Sequence, residues 1–208
     1  MDKERYFDNK GILAQNSKFI LRRLGPEDKE AYLNLYKENS VVAKAMATEE
    51  TEYMEKYVWN QIAKEEAIYV SIISKDMGNY LGNIVLRDLS SRTPEIGIEI
   101  LKQFQRQGIA FDTLKLFMRK VARICPIDYY FVRIYSDNQQ SQGLFHKLGA
   151  VQIGSEPSEC QAFIDNLKKT MGEQEYDELM RKHSDVEEIA GQHYIAHYKL
   201  DYISAGRK

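Results

Sequence analysis

Three consecutive segments with alternating apolar residues constrain the fold of this chain more than any other feature. They read AIYVSII (67–73), YLGNIVLRDL (80–89) and EIGIEIL (95–101), and the short turns SKDMGN and SSRTP join them. Alternation with a period of two predicts β-strands, and loops this short connect strands as antiparallel neighbours. In the third segment the isoleucines share one face, while Glu95, Gly97 and Glu99 share the other. The sequence therefore predicts a three-stranded antiparallel meander.

The segments on either side of the meander predict a mixed α/β (α+β) architecture. Apolar spacings of two and of three to four alternate along the chain, as expected for strands interleaved with amphipathic helices. The predicted elements are a strand at 19–24, a helix starting near Pro26, one or two helices in 40–64, a helix at 107–124, a strand at 129–136, a short helix, and strands at 150–154 and 193–203. We expect one domain over residues 1–208, with a mainly antiparallel central sheet flanked by helices and a helical insertion at about 155–192 before the last strand.

Charge and cysteine usage exclude several classes of protein. The formal net charge of -2 is slightly negative, whereas a protein that binds nucleic acid through its overall charge is strongly positive. No apolar run approaches the roughly 18 residues of a membrane span. The charged start MDKERYFDNK does not resemble a secretory signal, so we expect a cytoplasmic protein with no nucleic-acid or membrane partner. Cys125 and Cys160 are not in a metal-binding spacing, which predicts no metal and two inert thiols.

The six residues QRQGIA (105–110) stand where the 107–124 helix begins, and they lack a capping Ser, Thr, Asp or Asn. Such a turn leaves backbone N–H groups at the positive end of the helix dipole, where they attract anions. Gly108 lets the backbone approach a phosphate closely, and Arg106 adds a cation. The alternative is a structural turn in which Gly108 serves only for close packing. The patterns of the Walker loop and of the dinucleotide-binding fingerprint are both absent.

Two motifs together resemble the GNAT N-acetyltransferase superfamily. The first is Q-x-x-G-x-A, formed by Gln105, Gly108 and Ala110, which is similar to the acyl-CoA pyrophosphate loop of that family. The second is DNQQSQGLFHKLGA (137–150), about 28 residues on and after one more strand. It resembles the family's second segment through Asn138, Ser141, Leu144, Phe145, Lys147, Gly149 and Ala150. The similarity covers about residues 18–154, and it is loosely closest to the branch of ribosomal-protein N-terminal acetyltransferases.

The resemblance implies acetyl-CoA as cosubstrate and assigns its contacts. The backbone of Ile100 and Leu101 would pair with the pantetheine arm as an added strand. The loop from Gln105 onward would hold the pyrophosphate through the N–H groups of Arg106, Gln107, Gly108, Ile109 and Ala110. Asn138 and Ser141 would face the pantetheine and thioester, Phe145 would pack near the sulfur, and Lys147 would touch a phosphate. For Asn138 and Ser141, plain helix capping is an equal alternative.

Acetyl transfer to an amine needs a base, because an alkylammonium with a pKa near about 10.4 is protonated at neutral pH. Glu99 lies one residue before the expected pantetheine contact and is the base that we expect, against the alternative of a solvated strand carboxylate. A main-chain N–H near Ile100 would hold the oxyanion. Many family members carry a tyrosine hydroxyl for the leaving thiolate where this chain has Phe145. We therefore expect Ser141 to take that role, ahead of a water, an unassisted thiolate or His146.

The expected acceptor is a primary amine, either a peptide N-terminus or a small cationic molecule. Residues 155–192 hold ten acidic and four basic residues, a formal charge of -6, which leaves +4 for the rest of the chain. This division suits an anionic cosubstrate on the main body and a cationic acceptor near the insertion. A solvated helical face, or a homodimer contact through Phe163, Leu167, Tyr176 and Met180, is the alternative. Two other functions stay open: a CoA-binding interaction protein that has lost catalysis, and an unrelated α/β binding module.

Overall fold

The computed structural model describes residues 3–39, 58–60, 62, 66–158, 166, 168–170, 172–182 and 194–201. The chain divides into two compact units, one made of Met1–Tyr130 with Asp201–Lys208 and the other of Phe131–Leu200. Within these described ranges, eight strands, mostly antiparallel, and helices beside them confirm the predicted α/β class. The assignment of one domain to the whole chain stays a prediction.

The first unit is built on five consecutive antiparallel strands. In chain order its elements are β1 (Ile12–Gln15), β2 (Phe19–Arg23), α1 (Lys29–Asn39), β3 (Ala67–Ser74), β4 (Tyr80–Arg87), β5 (Glu95–Ile100) and α2 (Ile109–Val121). Each strand pairs with the next, so the predicted meander is confirmed and extends to β1 and β2. The short strand β1 was not among the predicted elements, since four residues carry too little alternation to stand out.

Helix α2 packs through the apolar side chains whose spacing predicted a helix here. Its side chains at intervals of three and four are buried, at Leu114, Phe117, Met118 and Val121. The hydroxyl of Tyr130 donates a hydrogen bond to the carbonyl of Met118 at 3.2 Å, which fixes the last turn of the helix. Helix α2 is therefore held along one face and at its C-terminal end, and its N-terminal loop stays exposed.

The described part of the second unit contains three strands, two helices with defined bounds, and further helical residues at 166 and 168–170. Its elements are β6 (Tyr130–Tyr135), which begins on the last residue of the first unit, then α3 (Gln139–Lys147), β7 (Val151–Pro157), α4 (Glu173–Lys182) and β8 (Tyr194–Leu200). Strands β7 and β8 are antiparallel, and β8 lies between β6 and β7. The predicted strands at 129–136, 150–154 and 193–203 are confirmed.

Parts of two predicted segments lie outside the described residues. For the predicted helices of 40–64, the described residues 58–60 and 62 are helical. In the insertion, residues 155–157 belong to β7, so any inserted segment begins after that strand and not at 155. The second predicted helix of the insertion is present as α4, while Phe163 and Leu167 lie outside the described residues. None of the helices in the described ranges is long and apolar enough to cross a membrane.

Gly82 permits the close approach of β4 and β5 beside Glu99. A Cβ atom at this position would lie 2.1 Å from the Glu99 carbonyl oxygen, a backbone atom that cannot move aside alone. We expect Gly82→Ala to destabilise the protein by about 1–3 kcal/mol, the usual cost of forcing extra atoms into a packed site. Urea unfolding measures this effect. Gly97→Ala is the matched control on the same strand pair, because its Cβ would meet a Val85 methyl group at 3.0 Å and this side chain can shift. Equal losses in both variants would contradict the prediction.

Candidate active site

Four polar side chains form a row across one face of the first unit's sheet. The strand register places Arg22 of β2 opposite Ser71 of β3, Ser71 opposite Asn83 of β4, and Asn83 opposite Glu99 of β5. Directly paired residues of antiparallel strands project to the same face, with Cβ atoms about 4.5–5.5 Å apart. We call these four residues the polar row. Ser71 and Asn83 are 0% and 2% exposed, so the middle of the row is shielded from solvent.

The Arg22 end of the polar row is neutralised by a carboxylate. Asp28, which is 4% exposed, accepts two hydrogen bonds of 2.8 Å from the Arg22 guanidinium. The Ser71 hydroxyl donates to the same carboxylate at 2.6 Å. Bidentate pairing with an additional donor satisfies the hydrogen-bonding capacity of this buried side chain. This part of the row therefore satisfies itself and is a structural cluster.

The Glu99 end of the polar row is different, because burial dominates the ionisation of its carboxyl group. Burial raises the pKa of Glu99 above its ordinary value, while hydrogen bonding from Asn83, the charge of Arg87 and hydrogen bonding from Asn39 act to lower it. Arg87 is itself paired with Glu95, with 3.4 Å between the guanidinium nitrogen and the carboxylate oxygen. A carboxyl whose pKa is raised by burial, on a strand beside other polar side chains, has the properties of a candidate general base.

An aromatic cluster lies on the same face, beside the polar row. Tyr32 of α1 contacts Trp59 and Tyr69 edge to face, with ring centroids 6.0 and 6.2 Å apart, and Tyr80 packs against this cluster. Tyr69 precedes Ser71 by two residues on β3, so it projects to the face of the polar row. Burial raises the pKa of the Tyr80 hydroxyl, which therefore stays protonated at neutral pH. The aromatic cluster therefore places apolar rings on the sheet face from which Glu99 also projects.

The loop before α2 has the conformation of an uncapped helix start. Arg106 and Gly108 both have positive φ, 60° and 78°, and residues 106–108 are exposed. Gly108 is the N-cap residue, and no side chain caps the helix. A Cβ atom on Gly108 would meet nothing within 4 Å, so close packing does not explain this glycine. Its left-handed conformation does, since only glycine adopts it without strain.

Gln105 and Leu101, both predicted to contact the cosubstrate, form hydrogen bonds within the first unit. The Gln105 side-chain amide donates to the Ile100 carbonyl at 2.9 Å and so ties the loop to the end of β5. The Leu101 N–H donates to the Leu81 carbonyl at 3.0 Å. In an antiparallel pair this alternation directs the N–H and carbonyl of Ile100, which lies opposite Gly82, away from β4. The Leu101 N–H is therefore bonded within the sheet, while the Ile100 N–H is directed away from β4 and the Ile100 carbonyl accepts from Gln105.

The residues predicted from the second motif lie on α3 in the second unit. Asn138 is its N-cap, and the Asn138 side-chain oxygen accepts a hydrogen bond from the Ser141 N–H at 3.0 Å. Asn138 thus caps the helix, while the half-buried Ser141 keeps its hydroxyl apart from that bond. Phe145 is 2% exposed. His146 and Lys147 are exposed. The His146 ring meets the Tyr198 ring edge to face, with ring centroids 5.5 Å apart.

The sequence singled out Glu99 as a candidate but not the polar residues near it, Asn83, Asn39 and Tyr80. Their association depends on the register of the sheet and on where α1 ends, neither of which alternation within a single segment reveals. The available signal was an asparagine inside an apolar strand, since buried amides in strands require partners. Among the described residues, no group of three or more His, Cys, Asp or Glu side chains is arranged to hold a metal ion.

One protein-family model matches the chain. The model described as an acetyltransferase (GNAT) domain covers residues 18–151, which includes the polar row, the loop before α2 and helix α3. No curated protein is similar enough in sequence to count as a match.

Solved structures of similar fold include several N-acetyltransferases. The spermidine N-acetyltransferase from Vibrio cholerae in complex with CoA and spermine is 19% identical over 69% of this chain and 87% of that chain, with a TM-score of 0.56. The spermidine/spermine N-acetyltransferase from Vibrio cholerae in complex with manganese ions is 15% identical over 89% of this chain and 94% of that chain, with a TM-score of 0.59. A protein described provisionally as a phosphinothricin N-acetyltransferase is 16% identical over 89% and 99% of the two chains, also at 0.59. At these identities the likeness shows a common fold.

Proposed function

Because this chain belongs to the GNAT acetyltransferase family, we propose that it transfers an acetyl group from acetyl-CoA to a primary amine. The observation that carries this proposal is the start of α2 on a left-handed Gly108 with no side-chain cap and open space around it. The first N–H groups of a helix need acceptors, and a pyrophosphate supplies them together with charge that suits the helix dipole. The exposed Arg106 adds a cation to the same loop. The finer resemblance to the ribosomal-protein branch remains a prediction.

Glu99 acts as the base in the proposed mechanism. Its carboxylate takes a proton from the acceptor ammonium, directly or through a water, and the neutral amine nitrogen then attacks the thioester carbonyl carbon. The backbone N–H of Ile100 binds the oxyanion that forms. The C–S bond then breaks, and CoA leaves as a thiolate. A thiol with a pKa of about 8.5 is a tolerable leaving group without an acid, which suits a chain that has Phe145 where a tyrosine is common. Ser141 is the residue we propose to protonate the thiolate, and its hydroxyl regains a proton from the acetylated nitrogen, which loses one to become the amide.

The acceptor that we favour is a small cationic amine. A carboxylate beside aromatic rings attracts an alkylammonium by charge and by cation–π interaction, and Glu99 with the aromatic cluster provides both. Structural neighbours described as spermidine N-acetyltransferases add support for this class. A peptide N-terminus offers the same reacting group and is the second acceptor to test.

The buried Phe145 supports a second candidate function, CoA binding without catalysis. Phe145 is buried and has no hydroxyl, so the usual acid for the leaving thiolate is missing. A protein of this fold that binds CoA and acts by interaction, without turnover, would tolerate that change.

Two measurements test the proposed function together. We expect CoA at 100 times its Kd to stabilise the protein by about 2.7 kcal/mol, which raises the Tm by about 5–10 °C for a chain of this length. With acetyl-CoA and a panel of spermidine, phosphinothricin and a peptide with an unblocked N-terminus, the enzyme should release CoA thiol. The same peptide with a blocked N-terminus is the control. A Tm shift without thiol release would support the non-catalytic alternative, and no Tm shift would overturn both functions.

A further inference from the structure

Asn83 is a buried amide at the centre of the polar row. It is 2% exposed, lies on β4, and is paired in register with Ser71 on one side and Glu99 on the other. A buried amide costs stability unless its donors and acceptor are satisfied, and a valine or leucine is the ordinary residue for such a strand. The neighbours Ile84 and Val85 on β4 follow that rule. Asn83 therefore needs an explanation other than strand formation.

The hydrogen bonds of the row divide between Asn83 and Ser71. The Ser71 hydroxyl donates a hydrogen bond to the Asp28 carboxyl group at 2.6 Å and therefore belongs to the Arg22 end of the polar row. The Asn83 side-chain amide donates to the Tyr80 hydroxyl, with 3.4 Å between nitrogen and oxygen, and the strand register places the Glu99 side chain beside the same amide. Hydrogen bonding from Asn83 also acts to lower the pKa of Glu99. An amide NH₂ has two hydrogens, so the one that Tyr80 does not accept is available to the Glu99 carboxylate.

We propose that Asn83 is a positioning residue for Glu99, with one amide hydrogen holding the carboxylate and the other anchored on the Tyr80 hydroxyl. This inference rests on the proposed function, because it assigns Asn83 to the same base. Tyr80 fixes the rotation of the amide by accepting its second hydrogen. The amide offers only donors to the carboxylate, so it stabilises the charged form that must accept a proton from the amine.

Two other polar groups act on Glu99, one from α1 and one from the far end of β4. Hydrogen bonding from Asn39 at the end of α1 and the charge of Arg87 both act to lower the pKa of Glu99, and Arg87 also pairs with Glu95 of β5. Glu38, the residue before Asn39, accepts a hydrogen bond from the Lys102 N–H at 3.0 Å and is thereby held at the end of β5. Asn83 differs from these groups because it is buried within the sheet and cannot exchange its partner for water.

Asn83→Leu removes the donors and keeps the size of the side chain. We expect the pKa of Glu99 to rise by about one unit or more, because a hydrogen bond to a charged group is worth at least that much. The pKa is read from the ¹³C shift of carboxyl-labelled glutamate, with the Glu99 signal assigned by its loss in Glu99→Gln. In the enzyme assay the acid limb of kcat/KM should move up by the same amount, while KM for acetyl-CoA stays unchanged. Asn83→Asp is the second variant in case Asn83→Leu does not fold, and its added negative charge should also raise the Glu99 pKa.

Ser71→Ala and Tyr80→Phe are the matched variants. Ser71→Ala removes a buried hydrogen bond at the same depth on the neighbouring strand, and it should leave the Glu99 signal and the acid limb in place. Tyr80→Phe frees the Asn83 amide to rotate. It should raise the Glu99 pKa and move the acid limb of kcat/KM to higher pH, each by less than Asn83→Leu does. An unmoved Glu99 pKa in Asn83→Leu and Asn83→Asp, in protein that turns over, would make Asn83 structural and overturn the inference. If the wild-type protein acetylates no amine but the Glu99 pKa still changes in the Asn83 variants, the proposed function fails. The inference that Asn83 positions the Glu99 carboxylate is then still supported.

Discussion

Gly108→Glu is expected to abolish measurable binding of CoA. Residue 108 has φ +78° and stands at the first turn of α2, where the proposed pyrophosphate would lie. A glutamate there brings a negative charge towards the phosphates and strains the backbone away from the left-handed region. Loss of two hydrogen bonds to a charged group, at about 1.5–3 kcal/mol each, weakens binding by at least about 100-fold. Isothermal titration calorimetry with CoA measures this change.

Two further variants separate the possible reasons for such a loss. Gly108→Ala keeps the space and the charge of the loop and changes only the backbone preference, so it should weaken CoA binding less than Gly108→Glu. Gly78→Glu is the matched control, because Gly78 lies in the β3–β4 turn and also has positive φ, 69°, with no atom within 4 Å of the position that a Cβ would take. It should bind CoA as the wild-type protein does. Unchanged affinity in Gly108→Glu would remove the phosphate site from this loop.

The local parts of the fold were predictable because each depends on a few consecutive residues. The alternation in EIGIEIL is enough to predict β5 and to place Glu99 opposite the isoleucines, and the spacing from Leu114 to Val121 is enough for α2. The missing cap at Gly108 was likewise visible in the sequence. What the sequence left open was why the glycine is there, and the open space around a Cβ at this position excludes close packing.

The surroundings of Glu99 were not predictable in the same way. Asn83 precedes Glu99 by 16 residues along the chain, and their pairing depends on the β4–β5 register, which the turn between these two strands sets. The same holds for Gln105 and Leu101, whose predicted contacts with the cosubstrate came from motif resemblance. Their hydrogen bonds to Ile100 and Leu81 appear only when β5 and its following loop are placed in three dimensions.

Glu99→Gln is expected to lower kcat by at least about 100-fold near neutral pH, since general bases contribute about 10²–10⁴-fold. Glutamine keeps the size of the side chain and one acceptor oxygen, but it cannot take the proton of the ammonium. Affinity for CoA should not change, because Glu99 lies on the face of the aromatic cluster and not in the loop before α2. Steady-state kinetics and CoA calorimetry on the same preparation measure the two quantities.

The pH profile shows whether Glu99 acts as the base. In the wild-type protein kcat/KM should fall as pH drops through the pKa of Glu99, which burial raises, so the acid limb should lie above the pH expected for an ordinary glutamate. In Glu99→Gln this limb should vanish, and activity should rise steadily towards the acceptor's own pKa, near about 10.4, as the amine loses its proton unaided. Glu95→Gln is the matched control on the same strand and face, where the carboxylate pairs with Arg87, and it should keep the acid limb. A Glu99→Gln enzyme with wild-type kcat and an intact acid limb would leave Glu99 as a strand residue and move the base elsewhere.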